Sequence, residues 1–98
     1  MTLQKDPEGF ETENLLQAVD FTNRNVLEVG CGDGRLTWRY APYTKYIAGV
    51  DPDFSSLHDA VQSPHHDHFK NMSFTCANAL DLPFPRETFD IAILAWSL

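Results

Sequence analysis

Gly30, Gly32 and Gly34 occupy alternate positions in Glu28-Val29-Gly30-Cys31-Gly32-Asp33-Gly34, and Asp51 follows Glu28 by 23 residues. Glycines lack a Cβ, so a ligand can come close to their backbone and φ can turn positive. A glycine turn that opens a helix also offers N–H groups suited to a carboxylate or phosphate. A carboxylate at the end of the following strand can accept hydrogen bonds from both hydroxyls of a ribose. Turn and acid together imply a nucleoside-containing cofactor. Taken singly, each has a plainer use: a tight ligand-free turn, and a helix cap.

Two other nucleotide motifs fail on residue identity. The dinucleotide fingerprint G-x-G-x-x-G, counted from Gly30 and Gly32, requires glycine at position 35, where Arg35 stands. A phosphate-binding P-loop needs Gly-Lys-Ser or Gly-Lys-Thr after the turn, and neither follows. His65, His66, Asp67 and His68, with His58 nearby, invite a metal reading. Adjacent histidines point in different directions, and no His pair has i,i+4 spacing on a helix, so a solvated loop is expected and no metal. Cys31 has no flanking His or cation to lower its pKa, so it reads as a small residue in a tight turn.

Strands and helices alternate around these residues. A helix capped by Thr12 would carry Leu15, Leu16 and Val19 on one face. Val26 to Val29 reads as a buried strand, and a helix from about Arg35 to Ala41 should stop at Pro42. Tyr46 to Val50 makes a second strand, ending at Asp51. Ser55 or Ser56 opens a third helix through Val61. Met72 to Cys76 and Phe89 to Ala95 complete four strands. This order means βαβ units and a mainly parallel sheet, with ligands beyond the carboxyl ends of the strands. Leu36, Trp38, Tyr40, Tyr43 and Tyr46 read mostly as packing residues. Trp96 could face a cation or a missing helix.

At this point the chain resembles a known family. Val26-Leu27-Glu28-Val29-Gly30-Cys31-Gly32-Asp33-Gly34-Arg35-Leu36 is similar to the first motif of the S-adenosylmethionine-dependent methyltransferases. Ile47-Ala48-Gly49-Val50-Asp51 resembles the second, Cys76 through Phe84 the third, and Phe89 through Leu94 the fourth strand, in register over residues 12 to 98. The resemblance implies a Rossmann-like, doubly wound α/β fold, with the strands in the order third, second, first, fourth. It implies S-adenosylmethionine as cofactor and methyl transfer to an unidentified acceptor. Gly30, Gly32 and Gly34 would lie along its methionine part, with Glu28 near the ammonium, directly or through water. Asp51 would hold the ribose, Pro52 the adenine face, Asn78 the adenine amino group, and the Ala79 N–H a ring nitrogen. Asn78 stands where many members have Asp, which loses charge assistance but keeps an acceptor. No catalytic residue is assigned, since the displacement needs none as nucleophile.

Length and charge bound the rest. Ninety-eight residues with 43% hydrophobic content allow one small domain. A net charge of −7 argues against direct binding to nucleic-acid backbones or anionic membranes. Two cysteines, no basic-then-apolar leader and no long apolar run point to the cytoplasm. Residues 1–11 read as a flexible lead-in. The domain is expected to be truncated after about four strands and inactive alone, or else to serve as a non-catalytic binding or assembly module. In the resembled fold residues 89–95 would form a bare edge without Lys or Pro, so a homodimer through this strand is expected.

Overall fold

The computed structural model describes residues 2–6, 19–78, 80–84 and 88–95. Five parallel strands form one sheet: β1 (Thr2–Asp6), β2 (Asn25–Val29), β3 (Tyr46–Asp51), β4 (Met72–Cys76) and β5 (Ile91–Ala95), in the order β1-β5-β2-β3-β4. The four strands expected from the sequence lie in the expected order, and the class is the α/β, Rossmann-like one. β1 is the addition.

Strand alternation divides the sheet into two apolar faces. Val26, Ile47, Ile91 and Ile93 pack with Leu36 and Tyr40 on one side. Leu27, Ala48, Val50 and Phe89 pack together on the other. Asp90 fixes the start of β2, accepting the Asn25 N–H at 2.9 Å and returning its own N–H to the Asn25 carbonyl at 2.8 Å.

The helices differ from the sequence expectation in detail. Only α1 (Thr37–Tyr40) is α-helical after the glycine turn; a 3-10 turn at Ala41–Tyr43 continues it. Pro42 sits early in that turn, where its missing N–H is not needed, so it redirects the chain instead of stopping it. α2 (Phe54–Gln62) buries Leu57 and Ala60 and starts sooner than expected. Its cap is Asp53, which accepts the Ser55 N–H at 3.0 Å and the Ser56 hydroxyl at 2.9 Å. The helix expected from Thr12 falls on residues outside those described, apart from its buried last member Val19.

The histidine stretch is helix α3 (Pro64–His68), not a loop. Ser63 caps it by accepting the His65 N–H, and Pro64 occupies the first turn, where proline is preorganised. Its rings pack: His65 stacks on Trp38 at 5.4 Å, and His66 lies 5.9 Å from Phe74. Among the described residues no group of His, Cys, Asp or Glu is placed to hold a metal ion.

Residues 2–6 bear on two further expectations, the flexible lead-in at 1–11 and the bare edge at 89–95. They are a strand, paired with β5 from Thr2 opposite Ile91 to Asp6 opposite Ala95. β5 also pairs with β2, so both its ladders are occupied. The bare edge on which the 89–95 homodimer rested is covered within the chain. No helix among the described residues is long and apolar enough to cross a membrane.

Candidate functional site

The carboxyl ends of β2, β3 and β5 open onto a cleft of about 630 Å³, within the size range of small-molecule sites. The glycine turn forms its floor. Gly30, Gly32 and Gly34 all have positive φ, at 79°, 56° and 89°. A Cβ on Gly30 would run into the Ala95 carbonyl at the end of β5, so glycine there lets the turn cross that strand. A Cβ on Gly32 would meet nothing within 4 Å, because this glycine borders open cleft. Gly34 lies away from the cleft, against the Trp38 ring.

The turn is tied down by β3. The N–H groups of Gly30 and Cys31 both donate to the Val50 carbonyl, at 2.8 and 3.2 Å, and the Gly32 N–H donates to Asp51 Oδ2 at 2.9 Å. The donors expected to favour an anionic ligand were those of a helix opening at the turn, and these turn donors do not serve in their place. They are spent on the strand instead, and α1 begins only at Thr37.

Asp51 is buried at the cleft wall, and its Oδ1 accepts the Asp53 N–H at 2.8 Å. A carboxylate offers roughly four acceptor positions, so both oxygens keep capacity for ligand hydroxyls. Pro52 and Asn78 also border the cleft. Asn78 Oδ1 accepts the Leu80 N–H at 3.0 Å, which holds its side chain in a turn of its own. Ala79 lies outside the described residues, as does Trp96.

Glu28 does not reach the cleft. It is fully buried on the other side of the turn, where its Oε1 accepts hydrogen bonds from Thr37 Oγ1 at 2.8 Å and Tyr40 OH at 2.6 Å. Burial first, and then the neighbouring Glu28 charge, push the Tyr40 phenol well above its usual pKa. Cys31 is likewise buried; desolvation, then Glu28 and Asp51, push its thiol far up, so it is no thiolate nucleophile.

Sequence reasoning passed over several lining residues. Val29, Val50, Ala77 and Leu94 supply apolar wall, and Asp53 and Ser56 a polar rim. The strand residues could have been found from the rule that ligands sit at strand carboxyl ends. Ser56 lies in the first turn of α2 and was marked only as a possible helix start, not as a lining residue.

A parallel α/β sheet with a glycine turn facing a strand-end carboxylate defines a nucleoside-cofactor-binding domain. Residues 26–98 match the methyltransferase-domain family, and the chain belongs to it. An uncharacterized methyltransferase of Schizosaccharomyces pombe is 33% identical over 85 residues, covering 79% of this chain and 30% of that protein. The crystal structure of the YcgJ protein of Bacillus subtilis superposes with a TM-score of 0.81 at 24% identity, over 89% of this chain and 38% of that one. A phosphoethanolamine N-methyltransferase of Haemonchus contortus, in complex with phosphoethanolamine and S-adenosylhomocysteine, superposes with a TM-score of 0.78 at 22% identity, over 89% of this chain and 18% of that one. The chain thus spans less than two fifths of the length of these relatives.

Proposed function

We propose that the cleft binds S-adenosylmethionine and presents its methyl group for in-line transfer to an acceptor. The observation that carries this reading is the open glycine, Gly32, bonded to the buried Asp51 on the wall of one cleft, whose lining among the described residues includes Asp51 and Asp53 but no lysine or arginine. Such a lining suits a cationic or uncharged ligand and disfavours phosphates, which seek Arg, Lys or free N–H donors. The bound S-adenosylhomocysteine of the Haemonchus contortus enzyme, on the same fold, supports the choice.

In this reading Asp51 accepts from the ribose hydroxyls while still holding Gly32. Pro52, Ala77 and Asn78 border the adenine, and Gly30 and Ala95 face the methionine end. When bound, the sulfonium supplies an activated methyl; the protein's part is to orient it and exclude water. Glu28, buried behind the turn, makes no direct contact with the ligand in this reading.

Calorimetric titration with S-adenosylmethionine, S-adenosylhomocysteine and NAD tests the reading. Saturable binding of the first two and none of NAD is expected. Binding of NAD alone would overturn it.

A further inference from the structure

Glu28, Thr37 and Tyr40 have no solvent-exposed surface, and none lines the cleft. A carboxylate removed from water at such cost must be held by strong donors, and two hydroxyls that bond this one, those of Thr37 and Tyr40, come from α1. Their places in the chain are the informative feature. Glu28 precedes Gly30 by two residues, while Thr37 and Tyr40 follow Gly34 by three and six. The two hydrogen bonds therefore close the chain on itself around the glycine turn, with the turn as the connecting arc.

Tyr40 is a fixed post for this closure. Its ring stacks on Phe21 at 4.7 Å, and its backbone carbonyl accepts the Thr44 hydroxyl at 2.8 Å. The opposite side of the turn is fastened to Val50 and Asp51. Glycines have the most backbone freedom to lose, and ordering such a turn at the moment of binding would weaken the ligand.

We infer that Thr37 and Tyr40 are positioning residues for the cofactor: through the buried Glu28 carboxylate they hold the glycine turn in its binding shape before the ligand arrives. The inference rests on the cofactor reading above. It differs from a purely fold-stabilising role, which would change the melting temperature and leave affinity alone.

The test uses Tyr40→Phe, which keeps the ring and its stack, Thr37→Val, which keeps the shape without the hydroxyl, and Thr37→Ser, which restores it. S-adenosylhomocysteine is titrated by calorimetry at a temperature where circular dichroism shows each variant folded. Tyr40→Phe and Thr37→Val should each raise Kd by about fivefold, the scale of one net hydrogen bond, with the loss in the entropy of binding. Thr37→Ser should bind like the unsubstituted protein. Unchanged affinity in Thr37→Val overturns the inference even if its melting temperature falls, and this pair decides the matter should Tyr40→Phe not fold. Failure of the unsubstituted protein to bind overturns the cofactor reading and the inference with it, a result distinguishable because it precedes any substitution.

Discussion

Asp51 serves the fold and the ligand with the same carboxylate. Its oxygens accept the Gly32 and Asp53 N–H groups, and the side chain is buried at the cleft wall. Asp51→Ala should therefore weaken S-adenosylhomocysteine binding by about 1.5–3 kcal/mol, the scale for hydrogen bonds to a charged group. It should also destabilise the ligand-free protein by about 2 kcal/mol, because two backbone donors lose their acceptor. Calorimetry and urea unfolding read the two effects separately, and a loss of affinity without a loss of stability would contradict the double role. The two cysteines make a second contrast. Cys31 is buried with its pKa raised, whereas Cys76 is exposed, its thiol 3.5 Å from the Pro52 carbonyl. A thiol reagent at pH 8 should titrate Cys76 alone in the native protein and both thiols in urea. Because the folded pKa of Cys31 lies above the unfolded one, its contribution to stability is full below about pH 8.5 and declines as pH rises, so alkaline solution should expose it. Rapid labelling of both thiols in the native state would refute the burial argument.

Elements show which parts of the chain announce themselves. β2, β3, β4 and β5 were legible because each is a short apolar or β-branched run, as Val26-Leu27 and Ile91-Ala92-Ile93 show, bounded by turn residues. β1 carries only Leu3 among Thr2, Gln4, Lys5 and Asp6, and its partner is nearly the whole chain away, so no local pattern marks it. α3 hid behind three histidines, although Ser63-Pro64 is a cap followed by proline and could have revealed it. That Gly30, Gly32 and Asp51 would border one cleft was legible from motif spacing, and that Pro52 and Asn78 would join them from the family resemblance. The burial of Glu28 behind the turn was not legible, because it depends on partners at positions 37 and 40 that no local pattern marks. β5 also changes the meaning of a substitution. Ile93 is fully buried on a strand paired on both sides. Ile93→Pro should therefore abolish the fold, at about 3 kcal/mol or more, instead of separating two copies. Far-UV circular dichroism should show loss of structure; a folded variant would mean that β5 is an edge after all.

At the scale of the whole molecule, the sheet ends in β1 on one side and β4 on the other, and β5 is internal only because β1 covers it. The covered strand, Ile91-Ala92-Ile93-Leu94-Ala95, has no charge and no proline. An exposed ladder of that composition pairs readily with another chain. β1 thus occupies, within the chain, the ladder through which the sequence suggested that a second copy would pair. Deleting residues 1–6 should uncover the β5 ladder and produce concentration-dependent association, seen as a rising mass in light scattering after size exclusion. The same protein with Ile93→Lys is unsuitable as a control, because that side chain faces the core. Ala92→Lys is also unsuitable, since Ala92 is 5% exposed. Restoring residues 1–6 as a free peptide is the better control: it can refill the parallel ladder and should return the mass to that of one copy. The intact chain should show no association that this peptide can reverse. Equal masses for the intact and shortened chains at every concentration would mean that β1 does not protect the edge.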